Sequence, residues 1–248
     1  MNDPSIADPV IEHFVHGPEG ACLVDTTRLE RCAADWFEPD ILSTRGLLTG
    51  SGSGRRPVHF LRHGDEHWVL RHYWRGGLAA RFSSDAYLRT GAHRARPVRE
   101  WRLLRDLYQH GLPVPRPIAA RVRYSGLIWR GDLITEAIPQ ARTLFEVIQQ
   151  CEDEPTVWQS VGRALARFHR LGAWHADLNV RNILIQPSGK VWLIDWDRGR
   201  LNATRGLNRN LHRLQRSLEK WPETRERGRA GWPELMRAYH AAQGGQNG

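Results

Sequence analysis

The sequence contains very little lysine, few cysteines and no long apolar run. Among 36 basic residues only Lys190 and Lys220 are lysines, so arginine supplies nearly all of the positive charge. Cys22, Cys32 and Cys151 lack the paired spacing of a metal site, and we expect them to be free thiols in a reducing cytosol. No segment approaches the roughly 18 apolar residues that a membrane-spanning helix needs, and the N-terminus has no secretion-signal pattern. We therefore expect neither secretion nor insertion into a bilayer.

The remaining composition is that of a folded and strongly basic protein. The 248 residues are 40% hydrophobic and 25% charged, which is ordinary for a globular chain and unlike a disordered one. The net charge of +9 and the pI of about 10.3 indicate an anionic partner without identifying it. Arginine in place of lysine is typical of a GC-rich genome, and it does not by itself indicate special arginine chemistry.

Periodicity divides the chain into a β-rich first half and a helix-rich second half. From residue 40 to residue 78 apolar and polar residues alternate as in antiparallel strands, and "ARVRYSG" and "LIWRGDLITEAI" predict two more strands. Helices are predicted at residues 97–110 and 156–171, each followed by glycine, and in "RNLHRLQRSLEKW" and "WPELMRAYHAA". The pattern predicts an α+β fold of two lobes, residues 1–137 and 138–248.

The stretch "WHADLNVRNILIQPSGKVWLIDWD", residues 174–197, carries the chemistry. His175, Asp177 and Asn182 fall in a polar turn, and Asp195 follows an apolar run that contains the turn "PSGK". This spacing resembles the protein-kinase-like catalytic loop H-x-D-L-x-x-x-N, followed by the metal-binding Asp of a D-F-G type motif. The intervening segment predicts a short hairpin that brings Asn182 and Asp195 together.

The resemblance implies phosphoryl transfer from ATP. Asp177 would accept the proton of the acceptor hydroxyl, Asn182 and Asp195 would hold Mg²⁺ through oxygen ligands, and His175 would orient the loop. Each of these polar residues alone is equally typical of a helix cap, a turn or a strand end, so the prediction depends on the whole set. Asp197 receives no role.

The first half should then cover and hold the nucleotide. Gly50, Gly52 and Gly54 in "TGSGSGR" would let backbone N–H groups approach the phosphates, although a flexible hairpin tip would have the same sequence. The segment "LITEAIPQARTL" fits a hinge between the lobes. Backbone groups from Glu136 to Ile138 are the candidates for the adenine edge, and an ordinary strand end is the alternative.

The lysine that kinase-like folds usually place on the third strand is absent, because no lysine lies in this half, so another side chain has to bind the phosphates. Arg71 in "WVLRHYW" is the candidate, and Glu100 on the predicted helix is its expected carboxylate partner. Arg75 and His72 are competing candidates for the same role.

Longer segments resemble one bacterial family, the 3-deoxy-D-manno-octulosonic acid (Kdo) kinases, relatives of the lipopolysaccharide core heptose kinases. They are "VLRHYWRGGLAAR" (69–81), "RPVREWRLLRDLYQHGLPVPRPIAARV" (96–122), "WHADLNVRNIL" (174–184) and "LIDWDRGR" (193–200). The resemblance covers roughly residues 40–220 and makes residues 1–39 a family-specific extension. It implies phosphorylation of the 4-hydroxyl of a Kdo residue in the lipid A inner core, with ATP and Mg²⁺.

The implied setting suits an arginine-rich chain. Lipid A phosphates, the sugar carboxylate and anionic headgroups would attract it to the cytoplasmic side of the bacterial inner membrane as a peripheral protein. Arg75, Arg81, Arg198 and Arg200 are candidate substrate contacts, although any one of them alone is more simply a solvated charge. We expect neither a nucleic acid nor an obligate protein partner.

Two other functions are compatible with the same residues. A small-molecule phosphotransferase of the aminoglycoside or choline kinase type shares the loop, but its cationic acceptors favour an acidic pocket. A basic, nucleic-acid-binding pseudokinase would use the positive surface without catalysis. Retention of Asp177, Asn182 and Asp195 argues against the pseudokinase.

Overall fold

The computed structural model describes residues 8–52, 57–74, 87–88 and 91–244. The chain divides into two compact units. The first contains residues 1–109 and 115–137, and the second contains residues 110–114 and 138–248. The five residues from 110 to 114 thus belong with the second unit, whereas the predicted lobes have a single boundary after residue 137.

The described part of the first unit is built on one antiparallel sheet. Its strands lie in the order β1-β2-β7-β8-β5-β4-β3, and β6 also pairs with β8. The bounds are β1 (Glu12–Gly17), β2 (Gly20–Asp25), β3 (Leu48–Gly52), β4 (Val58–His63), β5 (Glu66–His72), β6 (Tyr87–Leu88), β7 (Pro117–Ser125) and β8 (Ile128–Glu136). The predicted meander corresponds to β3, β4 and β5, and the two further predicted strands correspond to β7 and β8.

Helix α2 (Arg96–Gln109) packs one face against this sheet. Val98, Trp101 and Leu104 are buried at three-residue spacing, as the sequence periodicity predicts for an amphipathic helix. Each such side chain contributes roughly 1.5–3 kcal/mol when it leaves water. A separate apolar cluster, which includes Trp68 and Ile134, forms the other part of the core of this unit.

Two predictions for the N-terminal part of the unit were wrong. Cys22 and Cys32, expected as free thiols, form a disulfide with their Cα atoms 6.1 Å apart, whereas Cys151 is free and exposed. The chain folds back after β2 to bring the two cysteines together, and no local pattern predicts that return. The strand-like stretch from residue 40 begins instead with helix α1 (Pro39–Thr44), because proline in the first turn favours a helix start.

The described part of the second unit is mainly helical. Its elements are β9 (Arg142–Thr143), α3 (Leu144–Gln149), α4 (Pro155–Arg170), β10 (Ile183–Ile185), β11 (Val191–Leu193), α5 (Leu207–Lys220) and α6 (Pro222–Gly244). Helices α4 and α5 agree with the predicted segments. Helix α6 begins at Pro222 rather than near Trp232 and continues through Pro233, so packing against α4 and α5 outweighs its poor helix formers.

Helices α4 and α6 approach each other at two glycines. A Cβ added to Gly162 would overlap the carbonyl oxygen of Leu235, and one added to Gly231 would overlap the ring of Trp158. The backbone of each helix therefore lies directly against the other. A side chain at either glycine would force the helices apart.

The sheet and the six helices of the described residues confirm the predicted α+β class. Within that part of the chain, no helix is both long enough and apolar enough to cross a membrane.

Candidate active site

A short hairpin in the second unit positions the predicted metal ligands. Strands β10 and β11 pair antiparallel, with Ile183 opposite Leu193. One step beyond this pair, the N–H of Ile194 donates to the carbonyl of Asn182 at 3.1 Å. Asn182 and Asp195 are thus brought to the same end of the hairpin, as predicted, and the buried side chains of the strands hold them there.

The ring of His175 is buried and forms hydrogen bonds with the turn at Asp177 on one side and with Ile194, at the end of the hairpin, on the other. Its Nδ1 accepts the N–H of Asp177 at 3.1 Å, and its Nε2 lies 2.9 Å from the carbonyl of Ile194, to which it donates. Burial lowers the pKa of His175, against the opposing hydrogen bond to Ile194 and the charges of Asp195 and Asp177. A neutral ring with its proton on Nε2 fits both bonds, so His175 joins the Asp177 turn to the end of the hairpin.

The carboxylate of Asp177 is exposed, and the backbone of this residue is held by hydrogen bonds. Its carbonyl accepts hydrogen bonds from the side-chain amides of Asn182 and Asn179, both at 2.9 Å. Its Oδ1 accepts from Arg213 at 3.0 Å, and its Oδ2 lies 3.3 Å from the amide nitrogen of Asn179. The carboxylate is therefore oriented by two polar side chains and remains open to solvent.

The donor set at the end of the hairpin fits a hard cation. Because the amide nitrogen of Asn182 donates to the carbonyl of Asp177, its Oδ1 is the side-chain atom left as an oxygen ligand, and Asp195 lies at the same end of the hairpin. No group of three His, Cys, Asp or Glu side chains suited to a metal occurs in the described residues. An ion held by one amide and one carboxylate would take its other oxygens from phosphates and water, which is the coordination that Mg²⁺ favours.

The turn after Asp195 is anchored by an aromatic side chain. Asp195 has a positive φ of 61°, in the left-handed region that a non-glycine residue rarely adopts. Trp196 is fully buried, stacks on Phe168 with ring centroids 5.3 Å apart, and donates its indole N–H to the carbonyl of Leu193. The buried ring of Trp196 therefore anchors the turn in which Asp195 has its positive φ. Asp197, unassigned from the sequence, lies 3.7 Å from Arg198.

Helix α5 supplies residues that the sequence reasoning missed. The side chain of Asn210 accepts the N–H of His175 at 3.1 Å and donates to its carbonyl at 2.6 Å. Arg213 contacts Asp177, and the Oγ of Ser217 accepts the N–H of Val180 at 3.2 Å. The sequence could have indicated these three polar residues by their spacing of three and four, which places them on one side of α5, next to its row of leucines.

In the first unit, the structure brings the predicted pair together. Nη2 of Arg71 on β5 lies 2.5 Å from Oε1 of Glu100 on α2, and Glu100 is buried. Tyr73 also donates its hydroxyl to Glu100, and its ring lies 5.0 Å from the guanidinium of Arg71. The competing His72 instead contacts Asp132 at 2.7 Å. Sequence reasoning missed Tyr73, which is two residues from Arg71 on the same strand face.

The remaining nucleotide-binding candidates lie on strands and at a strand end. Gly50 and Gly52 are within β3, and Gly54 falls outside the described residues. Strand β8 ends at Glu136, whose N–H donates to the carbonyl of Arg116, so this N–H is not an open donor as predicted. Within the described chain, no backbone hydrogen bond outside helices and strands involves Ile138.

The substrate candidates are only partly described. Arg75 and Arg81 fall outside the described residues. Arg198 and Arg200 are exposed, and the backbone of Arg200 pairs with that of Trp174 in an isolated bridge. These two arginines thus lie on the segment that follows Asp195, close in sequence to the loop.

Comparison with known proteins agrees with this geometry. The model of the lipopolysaccharide kinase (Kdo/WaaP) family matches residues 40–239. A protein of Xanthomonas axonopodis pv. citri named 3-deoxy-D-manno-octulosonic acid kinase is 44% identical over 229 residues, which cover 91% of each chain. Proteins of that name from Stenotrophomonas maltophilia (strain R551-3) and Xylella fastidiosa (strain M12) are 43% and 42% identical, with 90% and 86% of each chain covered.

Proposed function

Because the chain belongs to the lipopolysaccharide kinase (Kdo/WaaP) family, we propose that it phosphorylates the 4-hydroxyl of a Kdo residue in the lipid A inner core. The chain is a kinase of lipopolysaccharide core biosynthesis that transfers phosphate to a hydroxyl group. ATP as the phosphate donor follows from kinase chemistry.

The observation that carries the proposal is the arrangement of the 174–197 segment. Asp177 exposes its carboxylate to solvent, and its backbone N–H is joined through His175 to the carbonyl of Ile194, directly before Asp195. The amide of Asn182 is tied to the backbone of Asp177. One hydrogen-bonded unit therefore presents a candidate base together with two oxygen ligands, which are the parts that phosphoryl transfer to a hydroxyl needs.

In the proposed mechanism, Asp177 accepts the proton of the acceptor hydroxyl while the hydroxyl oxygen forms a bond to the γ-phosphorus of ATP. The bond from that phosphorus to the β–γ bridging oxygen breaks, and ADP leaves. Asn179 and Arg213 orient the carboxylate, so that its free lone pairs face the incoming hydroxyl. His175 does not compete as a base, because its one acceptor nitrogen already bonds the N–H of Asp177. Its role is to hold the loop.

Mg²⁺ would be held by Asn182 and Asp195 and would neutralise the charge of the ATP phosphates. In the first unit, Arg71 would bind the phosphates, with the orientation of its guanidinium set by Glu100. Backbone groups at Gly50, Gly52 and Gly54 and at the 136–138 segment remain proposed contacts of the nucleotide. Among them, Ile138 is favoured over Glu136 because the N–H of Glu136 is already bonded.

For the acceptor, we propose contacts at Arg198 and Arg200, with Arg75 and Arg81 as further candidates. The Kdo carboxylate and the lipid A phosphates are suitable partners for guanidinium groups. A lipid-linked acceptor places the protein at the cytoplasmic side of the inner membrane as a peripheral protein. The net charge of +9 supports attraction to anionic lipid.

A transfer assay tests the proposal. The full chain is incubated with γ-labelled ATP, Mg²⁺ and lipid A carrying Kdo, beside a generic protein acceptor and an aminoglycoside, with Asp177→Ala as the inactive control. We expect label on the Kdo lipid alone, at the 4-position by mass spectrometry and NMR of the product. Label on the protein or the aminoglycoside would overturn the acceptor assignment. Absence of transfer together with salt-sensitive RNA binding would favour the pseudokinase.

A further inference from the structure

Helix α5 presents three different faces around its axis. Successive residues are rotated by about 100°, so residues spaced by three or four share a face. Leu211, Leu214 and Leu218 are buried and form the core face. The polar residues that hold the catalytic loop, Asn210 and Ser217, lie on the face next to it.

The third face is a row of cations, which we name the α5 basic stripe. It comprises Arg209, Arg213, Arg216 and Lys220, whose spacings of four, three and four place them within about 60° of arc. All four are exposed. The stripe extends over about 16 Å along the helix, and the carboxylate of Glu219 lies well to one side of it.

Few carboxylates neutralise this stripe. Elsewhere in the unit, exposed arginines pair with acidic side chains, as in Arg142 with Glu152 and Arg237 with Glu234. In the described part of the chain, Arg213 is the stripe member with such a partner, and that partner is Asp177 itself. The positive potential of the other three is therefore directed to solvent.

An aromatic side chain and a further cation extend the stripe at its C-terminal end. Trp221 is half-buried, with Nζ of Lys220 4.9 Å and the guanidinium of Arg181 5.1 Å from its ring. The guanidinium of Arg181 also lies 4.1 Å from the ring of Phe145. Arg181 is exposed and has no carboxylate partner among the described residues. The rings of Phe145 and Trp221 fix the position of the Arg181 guanidinium, whose N–H groups remain exposed to solvent.

We propose that the α5 basic stripe, with Arg181 and Trp221, is the surface that binds anionic phospholipid headgroups. A single phosphate or carboxylate would engage one or two of these cations, whereas a row of about 16 Å matches an extended anionic plane. Tryptophan at the end of the row suits the interface between water and lipid. This inference rests on the proposed function for its setting, because only a lipid-linked acceptor requires such a surface.

The position of the stripe has a consequence for the reaction. Arg213 belongs to the stripe and contacts Asp177, so the headgroup plane would lie beside the proposed base. A sugar attached to lipid A projects from the same plane. The stripe would therefore set the height of the catalytic loop above the bilayer, and acceptor hydroxyls near the headgroups would come within reach.

Vesicle co-sedimentation of the full chain tests the proposal without ATP or acceptor, so its result is independent of whether the kinase assignment holds. The stripe variant carries Arg209→Gln, Arg216→Gln and Lys220→Gln, and Arg213 is left intact because it contacts Asp177. The matched control removes the same charge elsewhere, through Arg163→Gln, Arg225→Gln and Arg229→Gln. A third variant, Arg209→Lys with Arg216→Lys, keeps the charge of the stripe. Circular dichroism checks the fold of each.

We expect the stripe variant to bind phosphatidylglycerol-containing vesicles about a hundredfold more weakly than the wild type. The control and the lysine variant should stay within a few-fold of the wild type, and phosphatidylcholine vesicles should bind none of them. Equal losses in the stripe variant and the control would mean that only net charge matters, and would overturn the proposal. Unchanged vesicle binding with weakened RNA binding would also overturn it and would assign the stripe to a nucleic acid.

Discussion

At the scale of single residues, Asp177 is the side chain on which the proposed chemistry depends most. Asp177→Asn keeps the shape and the contacts of the backbone carbonyl but cannot take up the proton. We expect kcat to fall by about 10²–10⁴, with ATP affinity nearly unchanged because the ligands Asn182 and Asp195 remain. Steady-state kinetics and a nucleotide titration measure the two effects. The exposed turn carboxylate of Asp65 gives the control, Asp65→Asn, which should leave kcat as in the wild type.

Residual turnover above one tenth of the wild type in Asp177→Asn would move the role of base to another group. A parallel fall in thermal stability would instead indicate that the substitution damages the fold.

Arg71 is the second residue with a separable role. Arg71→Ala removes the cation that contacts the buried carboxylate of Glu100 at 2.5 Å, while the hydroxyl of Tyr73 still donates to that carboxylate, and this should cost about 3 kcal/mol of unfolding free energy. Arg71→Lys keeps the charge and should restore most of that stability. Because lysine cannot bind two oxygens in a plane, KM for ATP should still rise severalfold. Urea unfolding and initial rates distinguish the two effects, and equal KM values for wild type and Arg71→Lys would remove Arg71 from the phosphate site.

Sequence reasoning at this scale is strongest where chemistry restricts the residue type. A base and two oxygen ligands at fixed spacing identify Asp177, Asn182 and Asp195 as candidates, and a missing lysine directed attention to Arg71. Tyr73 and Asn210 were not found, because a tyrosine or an asparagine suits many positions. Only the folded chain shows that each one contacts a predicted site residue.

At the scale of elements, helix α5 is a support for the catalytic loop. The side-chain amide of Asn210 accepts the N–H of His175 through its oxygen and donates to the carbonyl of His175 through its nitrogen, so both bonds depend on the two ends of one amide. Asn210→Asp loses the donor and places a carboxylate against a carbonyl. We expect a fall in kcat of at least tenfold and a loss of about 2 kcal/mol of stability.

Kinetics and thermal unfolding of Asn210→Asp, compared with Asn208→Asp on the exposed side of the same helix, check this support role. The Asn208 variant should match the wild type in both measurements. If Asn210→Asp lowers stability but leaves kcat intact, the helix supports the fold and not the geometry of the loop.

The elements themselves were predictable where a simple period repeats. Helices α2, α4 and α5 have regular apolar spacing, and the β10–β11 hairpin has a turn signal between apolar runs. Helix α1 and the first half of α6 were missed. Their sequences are poor in apolar periodicity, and contacts with other elements decide their structure.

At the scale of the whole molecule, a buried histidine gives the protein a pH dependence. Burial lowers the pKa of His169 to about 4, against its hydrogen bond to Asn210, and its Nδ1 lies 2.9 Å from the hydroxyl of Tyr239. As the pH falls below 6.5, the unfolded chain takes up a proton at this histidine, whereas the folded chain does not until about pH 4. Stability must therefore decrease between these values, by about 2 kcal/mol from pH 7 to pH 5.

Urea unfolding at pH 7 and pH 5 measures this loss. His169→Gln should reduce the difference in stability between the two pH values by about 2 kcal/mol, while the exposed His240→Gln should leave it unchanged. Burial also lowers the pKa of His175, so a loss in the same direction remains in both variants. A stability that does not change from pH 7 to pH 5 would contradict a neutral, buried His169.

The overall class was predictable from the order of strand-like and helix-like segments, but the assembly of distant segments was not. The Cys22–Cys32 disulfide depends on how the chain returns after β2, and the place of residues 110–114 in the second unit depends on their packing against that unit. Both depend on contacts between parts of the chain that no local period encodes.

The two glycines at which α4 and α6 touch impose a rule on how such sequences can diverge. Most buried positions tolerate an exchange of one apolar side chain for another of similar volume, but Gly162 and Gly231 have no volume to exchange. A side chain at Gly231 is blocked unless Trp158 becomes smaller at the same time, whereas at Gly162 the obstacle is the backbone of Leu235, which no exchange of side chains removes. Among sequences that keep this helix crossing, Gly162 should therefore stay constant, and Gly231 should change only together with Trp158.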